Sequence, residues 1–451
     1  MFLSKALDVQ RGEMVAFIGA GGKTSAMLRL AYELKIQGWR VLATTTTRIA
    51  EKELRAFPHT LTTEQIRSPQ ALSTALNQYG LVFIYERTWG GKVIGVSPEY
   101  ISTLADRVDS DTILIEADGS RRLPLKAPQK HEPVIPDDAS LVVPVVGMNA
   151  IGQPLNNETV YNLAPIVERY GFPVEMPIQP AWVAQIVRDE TLGLQGIPPR
   201  ARVVPLLNQV GSSVLERLKA RRVAQMILKQ PRVESVAIGR VRRKKSPIYE
   251  VQRRVGAVVL AGGLSKRMGR SKPLLPWGHK TVIETIVERV TLLRLSDMVV
   301  VTGHEAPKVS AALQKFTVRS IHNPDYATGE MLSSMKTGLK ALHHSVSACL
   351  VFLSDQPNVN ARLVTEILIA YAEGRGTIVA PSYNMRRGHP ILIDRRYWSE
   401  ILDLPDGSAP RDVINAYPDE IAYVAARDDS ILMDMDTPEE YRQALRRAGL
   451  I

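Results

Sequence analysis

The segment LAGGLSKRMGRSKPLL, residues 260–275, combines two adjacent glycines with an arginine and a lysine. Gly262 and Gly263 follow an apolar run that is typical of a buried strand, and they would break that strand into a loop. Because glycine has no Cβ, the backbone of this loop can approach a ligand closely, while Arg267 and Lys272 place positive charge beside it. The combination indicates a binding site for a nucleoside triphosphate.

A second glycine loop lies near the start of the chain. Gly21 and Gly22 follow the apolar run 14–18 and precede Lys23, Thr24 and a helical pattern. Strand, loop and helix make the layout in which backbone amides and a helix N-terminus bind phosphate. The loop is too short for GxxxxGK[ST], so we predict a compact variant in which Lys23 reaches a β- or γ-phosphate of ATP or GTP and Thr24 ligates Mg²⁺. A tight turn without a ligand is the alternative.

Carboxylates follow buried strands in both halves. In the first half, the apolar run 113–115 leads through Glu116 to Asp118, which we assign to the nucleotide site as a Walker B-like ligand of Mg²⁺. In the second half, Asp355 follows the apolar run 348–353. Because Mg²⁺ bridges phosphate oxygens and offsets their charge, Asp355 is the foremost candidate for a catalytic residue. A plain turn at a strand end is the alternative at both positions.

Two other strands of the first half end in polar residues. Thr44–Thr47 lie where open α/β sheets bind ligands, but threonine is also a common strand residue, so a structural role stays open. Asn208 and Gln209 resemble part of the guanine-reading Asn-Lys-x-Asp element. Its aspartate is missing, so guanine specificity does not follow.

Length and composition predict a soluble protein of several domains. The chain has 451 residues, 45% of them hydrophobic and 23% charged. It has no apolar run of about 18 residues and no signal-peptide pattern, so we expect a cytoplasmic protein without a membrane partner. The net charge is +11, but the basic residues are scattered apart from one run, and no nucleic-acid-binding motif accompanies them. We therefore expect no nucleic-acid partner. Cys349 lies in an apolar run and should be a buried structural thiol.

Strand and helix patterns alternate along the chain, which predicts an α/β fold of two domains. Each domain would be a mostly parallel sheet with helices on both faces, and the N-terminal domain would be P-loop-like. Between the domains lies a run rich in Lys and Arg without long apolar periodicity, which we interpret as a solvated linker. The predicted boundaries are 1–239 for the first domain, 240–254 for the linker and 255–451 for the second domain.

The second half resembles the MobA-like nucleotidyltransferases, whose signature is LA(A/G)GxSxRMGxxKxLL. The resemblance implies a Rossmann-like nucleotidyltransferase fold, with Arg267, Lys272 and Asp355 as catalytic residues. It also implies that Asp355 and Asp436, the latter in a DTPEE motif, hold Mg²⁺, with Asp434 as the alternative to Asp436. The matching signature residues are Leu260, Ala261, Gly262, Gly263, Ser265, Arg267, Met268, Gly269, Lys272, Leu274 and Leu275.

The same resemblance implies further contacts with the substrates. His389, in a Gly-His-Pro motif typical of the cytidylyltransferase branch, would contact the second substrate, although a structural histidine is the alternative. Gly262 is instead typical of the guanylyltransferase branch, so CTP and GTP both stay open. The residues implied to bind the nucleotide are Leu260, Ala261, Gly262, Gly263, Ser265, Arg267, Lys272, Asn323, Gly329, Ser333 and Ser334.

The first half resembles the YqeC family over about Gly12 to Gly239, through the segments GAGGKT, RVLATTTTRI and LIEADGSRRLPLKAP. That family is described as accessory proteins of selenium-dependent molybdenum hydroxylases. The resemblance implies a nucleotide-binding fold but no particular reaction. The residues that match are Gly21, Gly22, Lys23, Thr24 and Asp118.

Together the two resemblances imply a molybdenum cofactor nucleotidyltransferase that transfers CMP from CTP to molybdopterin and releases pyrophosphate. Its partner would be the apo-enzyme of a molybdenum hydroxylase of the xanthine dehydrogenase family. The alternatives are a guanylyltransferase, another small-phosphate nucleotidyltransferase, and a nucleotide-binding accessory or carrier factor.

Overall fold

The computed structural model describes residues 1–358 and 360–451. Along the chain it divides into two compact units, Met1–Gln252 and Arg253–Ile451. No helix among the described residues is long and apolar enough to span a membrane.

The first domain is built on one ten-stranded sheet with the order β15-β14-β13-β10-β1-β8-β2-β5-β4, in which β12 also pairs with β10. All of the pairings from β14 to β4 are parallel. The strands are β1 (Met14–Gly19), β2 (Val41–Thr45), β3 (Arg48–Ala50), β4 (Thr60–Thr62), β5 (Leu81–Tyr85), β6 (Arg87–Trp89), β7 (Lys92–Ile94), β8 (Thr112–Glu116), β9 (Leu125–Lys126), β10 (Leu141–Gly147), β11 (Val160–Tyr161), β12 (Arg202–Val203), β13 (Leu206–Asn208), β14 (Ser235–Gly239) and β15 (Ile248–Arg253).

Helices cover both faces of this sheet. Successive residues of β1 show the two faces, because Val15 and Phe17 join one buried cluster while Ala16 and Ile18 join another. Leucines of α2 pack in the first cluster and leucines of α3 in the second. The helices are α1 (Leu3–Leu7), α2 (Lys23–Ile36), α3 (Pro69–Tyr79), α4 (Pro98–Arg107), α5 (Ala164–Tyr170), α6 (Pro180–Arg188) and α7 (Val214–Ile227).

The second domain has an eight-stranded sheet with the order β20-β19-β16-β21-β24-β22-β23, in which β25 pairs with β22. The strands from β20 to β21 are parallel, and β24 is antiparallel to both of its neighbours. The strands are β16 (Val255–Ala261), β17 (Pro276–Trp277), β18 (Lys280–Thr281), β19 (Asp297–Thr302), β20 (Arg319–His322), β21 (Ala348–Leu353), β22 (Ile378–Tyr383), β23 (Arg386–Arg387), β24 (Ile391–Asp394) and β25 (Ile421–Ala425).

Helices again pack on both faces, because alternate residues of β16 enter two separate buried clusters. The predicted class, two α/β domains with mostly parallel sheets between helices, is confirmed. Cys349 is a free, buried thiol on β21, and burial raises its pKa. The helices are α8 (Val282–Leu292), α9 (Ala306–Ala312), α10 (Glu330–Ala341), α11 (Ala361–Ala372), α12 (Trp398–Asp403), α13 (Pro410–Ala416) and α14 (Pro438–Arg447).

The segment predicted as a linker, residues 240–254, is structured in its second part. Ile248–Arg253 form β15 at the edge of the first sheet, so the linker prediction is wrong there. Ile248 and Val251 are fully buried, and the amino group of Met1 donates a hydrogen bond to the Ile248 carbonyl at 2.7 Å. Two apolar side chains among many charges make a weak sequence pattern, and only packing against the rest of the domain makes this a strand. Residues 240–247, which precede β15, are called the basic segment below.

Gly338 in α10 allows the helix to pack closely on the second sheet. A Cβ at this position would lie 2.4 Å from Val258 Cγ1 and 3.1 Å from Val301 Cγ2. Both valines are fully buried and have stiff side chains, so they cannot move away easily. We expect Gly338→Ala to lower the free energy of unfolding by about 1–2 kcal/mol, since overpacking outweighs the better helix propensity of alanine.

Urea unfolding of the full chain measures this effect. Gly263→Ala is the matched control, because a Cβ there would meet nothing within 4 Å, and its change should stay within about 0.5 kcal/mol. Equal stability of the Gly338→Ala variant and the unmodified chain would contradict the close packing of α10.

Candidate functional site

In the second domain, the glycine loop and Asp355 follow neighbouring strands. β16 and β21 pair in parallel with Leu260 opposite Leu353, so the segments that follow them lie at the same edge of the sheet. Lys272 Nζ donates to Asp355 Oδ2 at 3.0 Å and also to Asp436 Oδ1. Arg267 Nη1 pairs with the other oxygen of Asp436 at 2.7 Å. The structure thus brings together four residues that were predicted from separate motifs.

The start of α14 holds Asp436 in place. Glu440 Oε2 accepts hydrogen bonds from the backbone N–H groups of Asp436 and Thr437, each at 2.9 Å, and the Thr437 hydroxyl accepts one from the Glu440 N–H at 3.3 Å. This capping box orders the backbone on which the carboxylate sits. The hydrogen bond from Lys272 lowers the pKa of Asp436, so its carboxylate is ionised at neutral pH.

The space between Asp355 and Asp436 suits a cation, since the Lys272 ammonium occupies it. Burial by itself would lower the pKa of Lys272, but the two carboxylates more than offset this effect and the pKa is raised. Carboxylate oxygens are donors that Mg²⁺ prefers, and phosphates and water usually complete its shell. Across the described ranges, no group of three or more His, Cys, Asp or Glu residues could hold a metal by itself. Asp355 and Asp436 could therefore hold a metal whose remaining ligands are oxygens of a bound triphosphate and water.

Asp434, the alternative metal ligand, has a different partner. Its Oδ1 accepts a hydrogen bond from Gln356 Nε2 at 2.9 Å, and burial raises its pKa. Asp436, rather than Asp434, makes the ion pairs with Lys272 and Arg267. The geometry favours Asp436 over Asp434 as a ligand of the metal.

The polar residues expected beside the nucleotide also meet at this edge. Asn323 Nδ2 donates to the hydroxyls of Ser333 at 2.8 Å and Ser334 at 3.1 Å, at the start of α10. A Cβ on Gly262 would lie 3.0 Å from Ser334 Oγ, so the glycine loop packs directly on this pair. Gly329 is the N-cap residue of α10. Asn323 and Ser334 are buried, and the hydrogen bond between them fixes the serine against which the glycine loop packs.

Ser265 and His389 complete the residues that were predicted in this domain. The Ser265 hydroxyl accepts the backbone N–H of Lys272 at 3.1 Å, so it shapes the turn that carries the lysine. His389 precedes a cis proline, and burial lowers its pKa to about 4 although the negative charge of Asp355 opposes the shift. The imidazole is therefore neutral near pH 7 and can offer one donor and one acceptor.

The first-domain glycine loop leads from β1 into α2. Gly21 has a φ of +76°, and a Cβ there would lie 2.0 Å from the backbone nitrogen of Gly147, so only glycine fits. The N–H groups in the first turn of α2 have no partner within the helix, and they point outward at its N-terminus, towards the glycine loop. The loop has the phosphate-binding layout predicted for Lys23 and Thr24.

Lys23 is buried among hydrogen-bond acceptors of the first domain. Its Nζ lies 2.8 Å from the Gly19 carbonyl, 3.2 Å from Ser120 Oγ and 3.1 Å from Asp118 Oδ1. Burial would lower the pKa of Lys23, but Asp118 and Glu116 outweigh it and the pKa is raised. Ser120 is a neighbour of Lys23 that sequence reasoning did not single out.

The carboxylate beside Thr24 is Glu116. Thr24 Oγ1 donates to Glu116 Oε2 at 2.7 Å, whereas Asp118 Oδ2 accepts from Gly19 N at 2.8 Å and from Lys126 Nζ at 3.0 Å. Asp118, which we had assigned to the metal side, is therefore engaged with the loop backbone and two lysines. Glu116 ends β8 and lies opposite Phe17 of β1, which places it at the loop.

The threonines at the end of β2 and directly after it form hydrogen bonds with backbone carbonyls. The hydroxyls of Thr44, Thr45 and Thr46 donate to the carbonyls of Ile84, Glu116 and Val134 at 2.9, 2.8 and 2.7 Å. These bonds favour the structural interpretation for Thr44 to Thr46.

The buried Glu116 should make the stability of the first domain depend on pH. Burial raises its pKa from an ordinary value of 4.5 to about 7. A raised pKa in the folded state means that the stabilising effect of the proton is complete below about 4.5 and is lost as the pH rises through about 7. We expect Glu116→Gln, which cannot ionise, to gain about 1–3 kcal/mol in unfolding free energy relative to the unmodified chain between pH 5 and pH 8.

Denaturant unfolding of both proteins at several pH values measures this difference. The comparison uses the change with pH, because the substitution also alters the bond to Thr24. Glu64→Gln, at an exposed carboxylate, is the control for a lost charge. Parallel pH profiles for Glu116→Gln and the unmodified chain would show that Glu116 titrates normally.

Both domains match known protein families. The profile of the YqeC protein family matches residues 15–164, and that of the MobA-like NTP transferase domain matches residues 257–421.

Three relatives are similar to parts of the chain. The uncharacterized protein YqeC of Escherichia coli is 33% identical over 230 residues, which are 51% of this chain and 88% of the relative. The molybdenum cofactor cytidylyltransferase of Escherichia coli is 27% identical over 197 residues, 43% of this chain and 96% of that enzyme. Nicotine blue oxidoreductase of Paenarthrobacter nicotinovorans is 31% identical over 200 residues, 42% of this chain and 96% of the relative.

These matches agree with the two glycine loops and with the carboxylates that the sheets place beside them. The chain belongs to the YqeC family through its first domain and to the MobA-like NTP transferase family through its second.

Proposed function

We propose that the second domain transfers CMP from CTP to the terminal phosphate of molybdopterin and releases pyrophosphate, in the maturation of molybdenum hydroxylases in the cytoplasm. The observation that carries this proposal is the Lys272 ammonium held between Asp355 and Asp436 beside the glycine loop. This arrangement offers positive charge, carboxylates for a metal and backbone amides at one sheet edge. The similarity to a molybdenum cofactor cytidylyltransferase supports the choice of acceptor and nucleotide.

In the proposed reaction, a phosphate oxygen of molybdopterin forms a bond to the α-phosphorus of CTP while the bond from that phosphorus to the β-phosphate oxygen breaks. The glycine-loop amides, Arg267 and Lys272 bind the triphosphate and stabilise the charge that develops on pyrophosphate. Mg²⁺ held by Asp355 and Asp436 would neutralise further charge on the phosphates. No covalent intermediate with the enzyme is needed.

Triphosphate binding would exchange the partners of Lys272. The Lys272 ammonium pairs with Asp355 and Asp436, and a bound phosphate would become its partner instead. His389 lies close enough to Asp355 for the carboxylate to affect the pKa of the imidazole, and neutral His389 would donate or accept a hydrogen bond with molybdopterin.

GTP is the alternative nucleotide, because Gly262 is typical of the guanylyl branch. A methyl group at this position would come within 3.0 Å of Ser334 Oγ, so the residue affects the shape of the pocket beside α10. Another small-phosphate acceptor, or a carrier role without turnover, would use the same charged site. One relative of the domain is named an oxidoreductase, so the reaction itself has to be measured.

We also propose that the first domain binds the Mg²⁺ complex of ATP or GTP at residues 21–24. Thr24 and Glu116 would contact the metal. Lys23, which pairs with Asp118, would bind phosphate instead. The domain would then act as an accessory unit that serves a molybdenum hydroxylase apo-enzyme as partner.

Pyrophosphate release with each nucleotide tests the proposed transfer. The full chain is supplied with Mg²⁺, molybdopterin and one of CTP, GTP, ATP or UTP. We expect release with CTP that depends on molybdopterin. Release with GTP alone would reassign the nucleotide, and release with none would overturn the transferase proposal. Lys23→Ala should leave the rate largely unchanged, because that residue belongs to the other domain.

Replacing Asp436 and Asp434 separately tests the assignment of the metal side. Asp436→Asn removes a charge that pairs with both Lys272 and Arg267, and we expect kcat to fall about 100-fold or more. Asp434→Asn is the matched control two residues away, and its kcat should change by less than about tenfold. If the two variants lose activity equally, Asp436 has no special role.

A further inference from the structure

The basic segment, residues 240–247, is attached to the glycine loop of the first domain. The side chain of Asn208 makes the link, because its Nδ2 donates to the Gly21 carbonyl at 2.8 Å and its Oδ1 accepts the Val241 N–H at 3.1 Å. Asn208 is only 2% exposed, so both bonds are shielded from water. Asn208 therefore fixes the start of the basic segment and the glycine loop relative to each other.

The segment then runs beside the first two turns of α2. Arg242 Nε donates to Ser25 Oγ at 3.3 Å, one residue beyond Thr24. Arg29 Nη1 donates to the carbonyls of Arg243 at 3.0 Å and Lys244 at 3.3 Å. These contacts place the Arg242 guanidinium at the end of α2 where the glycine loop arrives.

The charges at this end of α2 are unbalanced in a way that favours an anion. The first turn of α2 contains no acidic residue, and a cation near a helix N-terminus is unfavourable by itself. Within the described residues, Arg242 forms no ion pair, and its hydrogen bond to Ser25 is long. Lys23 adds a second positive charge, which pairs with Asp118 and Glu116.

A second observation, at the buried carboxylate of Asp118, also points to a ligand. Asp118 is 2% exposed, and its Oδ1 atom accepts no hydrogen bond from any described residue, although Lys23 Nζ lies 3.1 Å away. Buried carboxylate oxygens normally accept a hydrogen bond, and those that do not often face an absent water or ion. Lys23 Nζ, which lies 3.1 Å from this atom, also lies 3.9 Å from Glu116 Oε1, so the atom is close to the carboxylate proposed for the metal.

We propose that Arg242 is a phosphate-binding residue of the first-domain nucleotide site and that the start of the basic segment, residues 240–242, forms one wall of this site. The inference rests on the nucleotide site proposed above for residues 21–24, and it adds a residue from a part of the chain some 220 positions away. Lys23 and Arg242 contact different oxygens of the triphosphate, because Lys23 is held at the Gly19 carbonyl and Ser120 whereas Arg242 is held at Ser25. The ligand class is the Mg²⁺ complex of a nucleoside triphosphate.

Calorimetric titration of the full chain tests the assignment, with Mg·ATP and Mg·GTP as separate probes. Because the second domain also binds nucleotide, the first-domain component is defined as the heat that Lys23→Ala removes. We expect Arg242→Ala to weaken that component about tenfold or more and Arg242→Lys to weaken it less. Arg243→Ala is the matched control, because the Arg243 guanidinium lies over the ring of Tyr249 at 5.5 Å, and it should change the affinity less than about twofold.

The outcomes separate the inference from the proposal on which it rests. If Lys23→Ala removes no component with either probe, the first-domain nucleotide site is wrong and the inference falls with it. If Lys23→Ala removes a component that Arg242→Ala leaves unchanged, the site stands and Arg242 only anchors the segment. Inorganic triphosphate with Mg²⁺ is the third probe, and its binding should weaken in Arg242→Ala as well. Loss with the nucleotides but not with triphosphate would place Arg242 on the nucleoside instead.

Discussion

Parallel strand pairing is the constraint on which both candidate sites depend. In the first domain β1 pairs with β8, and in the second β16 pairs with β21, each in register up to the ends of the strands. Parallel neighbours end at the same edge of the sheet. Strand pairing alone therefore brings a glycine loop after one strand next to a carboxylate at the end of its neighbour. The two domains thus place a glycine loop beside an acidic residue by the same geometry, with different loop sequences.

Each site balances its charges through ion pairs between its own residues. Lys272 lies between Asp355 and Asp436, and Lys23 lies between Asp118, Ser120 and the Gly19 carbonyl. Burying an ammonium group is costly unless carboxylates compensate for it, and these pairs do so. In the proposed complexes, a triphosphate with its metal would exchange both sets of partners at once, because the phosphates would bind the lysine and the metal would bind the carboxylates. Each site is therefore suited to a ligand that brings both charges together.

Secondary contacts make these arrangements specific. The capping box of α14 holds Asp436, Ser265 supports the turn before Lys272, and Asn208 joins the first glycine loop to the basic segment. Removing one of these groups would leave a buried or half-buried partner without its hydrogen bond, which costs more than the bond itself contributes. The distances at each site depend on such contacts as much as on the residues that would meet the ligand.

Local pattern in the sequence determined the two-domain α/β class, the two glycine loops, and Lys23, Arg267, Lys272 and Asp355 as charged candidates, and the family resemblance added Asp436. Apolar runs, glycine pairs and the residues that follow them are properties of adjacent positions, so they can be read without coordinates. Only the tertiary structure decided between Glu116 and Asp118 as the neighbour of Thr24, between Asp436 and Asp434 as the partner of Lys272, and between linker and strand for residues 248–253. Each of these choices depends on which groups far apart in the chain come within hydrogen-bonding distance, and that follows from strand register and packing across the whole domain.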